Sequence, residues 1–355
     1  MSSSDASRPH RITTTLTTVI RPSDLLGPPA RPALEGLSAA VYGLVLPETR
    51  ATVRRLWEEQ PHVLFEQAYE DSQDATHLAF LRSWRDWVAP VVTGADGFPH
   101  QYVTNGSSEA IRESVWSLAK AARDAGGRAQ MHIFAGEYEG YGAYARAAGV
   151  ELLSHDRATW HEIAFAPGAT HRWYVSQPSA TDGNIWPDFA DFLREMQNRG
   201  IEVAVDLAYV GAVAEQPVID LGLPNVPHVF FSLSKVFGVF YHRVGGMLSR
   251  TPMLGLEGNK WFKNMFSLYL GTSLIRETPD PRTLPARYRH VQREACRIVA
   301  ERHGIPLSPS DVILLASSPP GPYPDAFRRG GRYRWCLTPT MDRLLRASTR
   351  EVADA

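Results

Sequence analysis

No stretch of this chain stays apolar for the ~18 residues that a helical bilayer crossing needs, so the sequence predicts no membrane-spanning helix. Cysteine is nearly missing. Cys296 and Cys336 are too far apart for a CxxC pair. They can build neither a disulfide framework nor a cysteine-ligated metal cluster, so a reducing cytoplasm is the expected compartment. Net charge of one sign is missing too: 37 Lys+Arg against 38 Asp+Glu leave −1, which speaks against a duplex-DNA or polyanion partner. The N-terminal MSSSDASRPHRITTT lacks the pattern of a secretory signal. Lysine is scarce: Lys120, Lys235, Lys260 and Lys263 are the only four among the 37 basic residues. Arginine serves wherever a surface cation suffices, so a lysine at a strand end is less apt to be filler.

What is there is a folding sequence. The chain has 355 residues, 44% hydrophobic and 21% charged, which excludes general disorder. At roughly 100–200 residues per domain this is one large unit, or a large unit with a small one. Residues 1–47 are rich in Ser, Thr and Pro; the first ten read as a mobile arm and Ile12 to Ile20 as an edge strand. Helical spacing appears near 48–60 and 76–88. From 100 to 250, short apolar runs (QYVTN, AQMHIF, VELLSH, HRWYVS, IEVAVDL, HVFFSLS, GGMLS) alternate with amphipathic stretches such as Glu109–Ala125 and Asp188–Arg199. That alternation predicts an α/β fold with a mostly parallel sheet covered by helices on both faces. After Arg250 the pattern predicts a helix at 258–271, a longer one at 283–303, two strands in VILLASS and YRWCLTP, and a helix from about 340. The expected organisation is an arm and small-domain part at 1–47, a large domain at 48–255, and an interface helix with a trimmed small α+β domain at 256–355.

In an open parallel sheet, ligands bind beyond the carboxyl ends of the strands. After QYVTN comes Asn105-Gly106-Ser107-Ser108, opening a helix whose N-terminus suits a phosphate; on the fragment alone an ordinary N-cap is the favoured reading. After IEVAV comes Asp206, an acid that needs a partner there, or else a cap or salt bridge. After HVFFSL comes Lys235 with apolar flanks, the kind of desolvated amine that forms Schiff bases, and then Arg243, a candidate anion clamp.

The order and spacing of these signals, above all Ser232-Leu233-Ser234-Lys235 running on to Arg243-Val244-Gly245, resemble the fold-type-I pyridoxal-phosphate enzymes of the aspartate-aminotransferase-like group. The resemblance implies a large domain of that fold type binding pyridoxal 5'-phosphate. Lys235 would hold the cofactor as a Schiff base and later move protons, and Asp206 would pair with the ring nitrogen. Tyr209 would bond the ring's phenolic oxygen and Tyr138 would stack on the ring. Gly106, Ser107, Ser108, Ser232 and Arg243 would cradle the phosphate. Arg334 would take the substrate carboxylate, with Arg332 two residues away on the same strand face. A homodimer with its active site at the interface, and an amino acid as substrate, follow from the same resemblance.

Two departures stand out. Where the group carries Asn-Pro-x-Asn-Pro-Thr-Gly, this chain reads Gln177-Pro178-Ser179-Ala180-Thr181-Asp182-Gly183-Asn184. The ring-contacting asparagine therefore falls on Ala180, with Asn184 as a candidate substitute. The span from Lys235 to Arg334 is also short. The expected activity is transamination at the α-carbon of an amino acid. The alternative is β/γ-elimination, replacement or ring closure of natural-product biosynthesis. An aminotransferase-like sensor carrying a DNA-binding module does not fit, because residues 1–47 are too short and Pro-rich for a winged helix. The twelve histidines show no HxxxH or HxH spacing and read as surface or packing residues, so no metal is expected. The aromatic run Trp261–Tyr269 reads as core or dimer interface, and Arg328 and Arg329 as a solvated loop, with a role toward an anionic substrate as the alternative.

Overall fold

The computed structural model describes residues 34–59, 73–260 and 263–353; the first ten residues, the stretch Ile12 to Ile20 and Trp261 lie outside the described residues. Seven strands form the main sheet: β1 (His100–Thr104), β2 (Arg128–Phe134), β3 (Glu151–His155), β4 (Ala169–Ser176), β5 (Glu202–Asp206), β6 (His228–Ser232) and β7 (Gly245–Ser249). Their spatial order is β3-β2-β4-β5-β6-β7-β1. All neighbours from β3 to β6 run parallel, whereas β7 runs antiparallel to both β6 and β1. The sequence expectation of a mostly parallel α/β sheet therefore holds.

Because side chains alternate across a strand, each central strand supplies both faces. Trp173, Val175, Val203, Val205, Val229 and Phe231 enter one core cluster. Tyr174, Ala204 and Phe230 enter the other. The same period, carried to the strand ends, puts Ser176, Asp206 and Ser232 on the Tyr174–Ala204–Phe230 face. Pairing of Ser176 with Asp206, and of Asp206 with Phe230, is in register.

The helices are α1 (Pro47–Glu59), α2 (Gln73–Val88), α3 (Ser107–Asp124), α4 (Gly140–Ala148), α5 (Phe189–Asn198), α6 (Leu254–Asn259), α7 (Met265–Arg276), α8 (Thr283–His303) and α9 (Thr338–Ala353). On α3, Ile111, Val115, Leu118 and Ala122 recur at helical spacing and are buried. They direct α3 onto the face that carries Asp206. On the opposite face Trp84 of α2 stacks on Phe231 at 3.8 Å. The single helix predicted over 258–271 is two helices, α6 and α7. Asn264 interrupts them, its side chain accepting the Ser267 amide at 3.2 Å and capping α7.

A second, antiparallel sheet is built from β8 (Ser308–Pro309), β9 (Leu315–Ser318), β10 (Arg328–Arg329) and β11 (Arg332–Cys336), in the order β8-β9-β11-β10. The strand predicted over VILLASS is thus confined to its second half. Residues near Ser38 join this sheet by a bridge to Cys336, with N–H···O distances of 3.2 and 3.0 Å. From there the chain runs over the end of the main sheet. It passes so close at Gly43 that a Cβ would lie 2.2 Å from the Ser234 carbonyl oxygen.

Among the described residues some histidines pack and others, such as His161 and His290, are exposed. His132 is buried between His155 and His171 at 2.9 and 3.0 Å, and His228 meets Ser114 at 2.7 Å. Among the described residues no cluster can hold a metal ion, and no helix is long and apolar enough to cross a membrane.

One buried ion pair ties α3 to the segment before α7. Lys263 Nζ lies 2.9 Å from both Glu109 carboxylate oxygens, with side chains only 2% and 7% exposed. Glu109 also accepts the Asn105 amide at 2.7 Å, fixing the turn that opens α3. Removing one partner of such a pair leaves a buried charge uncompensated. Lys263→Met is therefore expected to lower unfolding free energy by about 3 kcal/mol. Urea denaturation with a change below about 1 kcal/mol would refute this.

Candidate active site

A cavity of ≈ 540 Å³ opens where β5 and β6 end, beneath the 39–42 segment and beside the β10–β11 hairpin. Ser107, Ser108, Tyr138, Asp206, Tyr209, Ser232, Lys235, Arg243 and Arg334 all line it. Gly106 does not line it but shapes its wall. Its φ of +78° suits glycine, and a Cβ there would sit 3.0 Å from an Arg243 guanidinium nitrogen. A larger hollow of ≈ 810 Å³ on the outer side of α3, beside Trp116 and Leu254, holds none of the sequence-predicted residues.

Lys235 follows the end of β6. Its ammonium donates to the Val41 carbonyl and lies 5.6 Å from the Phe240 ring centroid. Burial pushes it down from 10.5 to about 8, with the guanidinium groups of Arg334 and Arg243 acting in the same direction. Asp206 is 5% exposed at the end of β5, and its carboxylate accepts the Ala208 amide at 2.9 Å. Burial pushes this carboxyl up to about 7 and the neighbouring Glu137 adds to the rise, while the Ala208 amide and the Lys235 ammonium oppose it. Tyr209 is buried beside them, and desolvation raises its phenol to about 12.

At the opposite wall, α3 begins without a side-chain cap, so its first amides have no partner from their own helix and carry the positive end of its dipole. Arg243 stands next to this end. It donates to the Asn105 carbonyl at 2.9 Å and to the Ser108 hydroxyl at 3.3 Å. Among the described residues it is the one non-glycine residue with positive φ, +50°, a conformation costing about 1 kcal/mol or more that aims its side chain back into the cavity. Ser232 accepts the Ser234 amide at 3.2 Å.

Arg334 is buried on β11, at 4% exposure. One of its terminal nitrogens donates to the Ala180 carbonyl and the other approaches the Ala39 carbonyl at 3.5 Å, while its Nε is buried without a partner. Arg332 is exposed and does not line the cavity, whereas Arg334 does.

Two expectations are corrected. Arg329 is not solvated: its side chain is only 12% exposed, it lines the cavity, and it bonds Glu139 and the Ala326 carbonyl. Its neighbour Arg328 is exposed as expected. Asn184 does not replace the missing asparagine, because its side-chain oxygen accepts the Asp311 amide at 3.0 Å and it does not line the cavity. Residues 39–42, Glu139 and Phe240 also line the cavity and were missed. Long-range folding brings residues 39–42 there, whereas Glu139 and Phe240 are carried in beside Tyr138 and Arg243, a neighbourhood that could have marked them.

No protein-family model and no curated protein sequence matches the chain, but many solved structures match its shape. A probable N-succinyldiaminopimelate aminotransferase from Thermus thermophilus superposes with TM-score 0.62 at 17% identity, over 88% of this chain and 94% of that one. MppP, soaked with the product 2-ketoarginine, gives 0.64 at 13% identity, over 87% and 96%. An L-threonine-O-3-phosphate decarboxylase from Porphyromonas gingivalis gives 0.59 at 14%, over 88% and 100%. The fold is that of the fold-type-I pyridoxal-phosphate enzymes. Aminotransferase and decarboxylase both stand on it, so the fold-type-I architecture fixes the scaffold and leaves the reaction to the site.

The Lys235 amine gives a direct test. Below its pKa it is an unreactive ammonium, and above it a free nucleophile. Trace acetic anhydride labelling of the cofactor-free protein, followed by peptide mass spectrometry, is expected to show Lys235 titrating with a midpoint near 8. A midpoint at the ordinary 10.5 would contradict the buried placement.

Proposed function

We propose that the protein is a pyridoxal-phosphate enzyme acting at the α-carbon of an amino acid, and specifically an aminotransferase. The observation that carries this reading is the meeting, in one cavity, of a desolvated lysine, a buried carboxyl and an uncapped helix start flanked by arginine. The residues fit the group. Arg243 and the start of α3 suit its phosphate, Asp206 its ring nitrogen, Tyr209 its phenolic oxygen, and Tyr138 the ring face. When bound, pyridoxal phosphate supplies a carbonyl that condenses with amines and a ring that accepts the electron pair left on carbon.

This chain's residues do the rest. Arg334, held by the Ala180 carbonyl, binds the substrate carboxylate and thereby orients the α-carbon. Lys235, whose amine is free above about pH 8, takes the α-proton at Nζ and returns a proton to the neighbouring carbon. Asp206, ionised when it faces a cation, holds a proton at the ring nitrogen. Residues 39–42 cover the site and limit the access of water. A homodimer belongs to the same reading.

One observation favours the elimination or ring-forming alternative. Ala180 lines the cavity with a methyl group where the related enzymes carry an amide, and Asn184 points elsewhere. Tyr209 is then left to bond the phenolic oxygen.

The purified protein is expected to be yellow, or to become so with added pyridoxal phosphate, and to lose the colour on borohydride reduction with the adduct mapped to Lys235. Lys235→Ala should lower kcat by roughly 10²–10⁴. A keto acid released without ammonia and with lasting loss of the visible band supports transamination; a β- or γ-substituent released with ammonia, the band returning, supports elimination. A wild type that stays colourless with the cofactor overturns the reading.

A further inference from the structure

Glu137 is a buried carboxyl that the reading above does not use. It is 5% exposed and sits one residue before Tyr138, on the face of the sheet that carries Asp206. One oxygen accepts the Ser176 amide at 3.1 Å and the other accepts the Ser176 hydroxyl at 2.7 Å. The Ser176 oxygen in turn accepts the Ala180 amide at 2.6 Å. The carbonyl of that same Ala180 receives Arg334. From the other side Arg157 bonds Ser179 at 2.9 Å and Asp182 at 2.8 Å, so the 179–182 turn is clamped by polar groups at both ends. Ser176 is also the in-register neighbour of Asp206, whose carbonyl accepts the Gln177 amide at 3.0 Å.

Resting on the proposed function, we propose that Glu137 is a positioning residue: through Ser176 and the Ala180 peptide it orients Arg334 toward the substrate carboxylate, and it stands behind Asp206 as a second, interacting carboxyl. One buried group thus sets both the cofactor end and the substrate end of the site.

The electrostatics agree with the geometry. Burial pushes Glu137 up to about 7 against its hydrogen bonds from Ser176 and the pull of Arg157. Asp206 is also pushed up to about 7, partly by Glu137. Tyr141 packs against both carboxyls, and Lys235 faces Asp206. Two interacting acids of this kind titrate as a pair.

A glutamine at 137 has the same size but cannot accept both bonds. Its amide would donate to a Ser176 oxygen that already receives the Ala180 amide, leaving the serine proton without an acceptor. The test uses Glu137→Gln and Ser176→Ala, with two readouts. Propionate, an unreactive carboxylate, is titrated into the protein loaded with pyridoxal phosphate and followed by visible absorption. Infrared difference spectra of the cofactor-free protein follow the carbonyl bands of protonated carboxyls across pH.

Both variants are expected to weaken propionate binding roughly tenfold. Glu137→Gln should also remove one of two carboxyl titrations near pH 7 and move the survivor to lower pH, whereas Ser176→Ala should keep both. Unchanged propionate affinity in both variants, or two surviving titrations in Glu137→Gln, would overturn the proposal. The infrared readout needs no cofactor. A wild type that takes up no pyridoxal phosphate but shows the paired titration would therefore sink the functional reading, not the Glu137–Asp206 pairing.

Discussion

The site depends on charged groups kept from water at the ends of strands that are buried on both faces. An isolated carboxylate or ammonium in such a place is costly, and the cost falls when each group has the other's field or a ligand to answer it. Asp206 and Lys235 meet that condition in a shared cavity, where burial raises the acid and lowers the base toward the same range. The consequence is two groups whose protonation states are both available near neutral pH.

Two features of the architecture make that cavity. The parallel run of β4, β5 and β6 brings their carboxyl ends to one edge, and the antiparallel β7 returns the chain so that Arg243, just before it, faces the start of α3. The segment around Ser38 leaves the small sheet and crosses the main sheet's end, placing the Val41 carbonyl on Lys235. The small sheet contributes Arg329 and Arg334 to the same cavity. Arg243 thus reaches the cavity from the large sheet, and Arg329 and Arg334 from the small one. The Ala180 peptide is where the two meet.

Much of this was legible in the sequence. Continuous apolar strands ending in Asp206 and shortly before Lys235 name the strand ends, and the helical spacing of Ile111, Val115, Leu118 and Ala122 names the buried face of α3. Period-two alternation then puts Asp206 and Ser232 on the face that α3 covers. Arg329 was not legible, because a short Arg-Arg-Gly-Gly stretch reads as a solvated loop unless the hairpin beside β11 is known. Asn184 misled for the opposite reason: its distance along the chain suited the missing contact, but the 179–182 turn directs it to Asp311.

The sequence by itself determined what local pattern and residue chemistry can encode: a parallel α/β sheet, its strand ends, an anion-suited helix start and a lysine that is not surface filler. Only the tertiary structure decided which groups are desolvated together. It buried Glu137 and Asp206 within each other's field, buried Arg334 while leaving Arg332 exposed, and brought residues 39–42 to the cavity of Lys235. The physical reason is that strand and helix periods are set by neighbours a few residues apart. Burial, and every pKa and ion pair that follows from it, is set by segments that meet only when the chain folds.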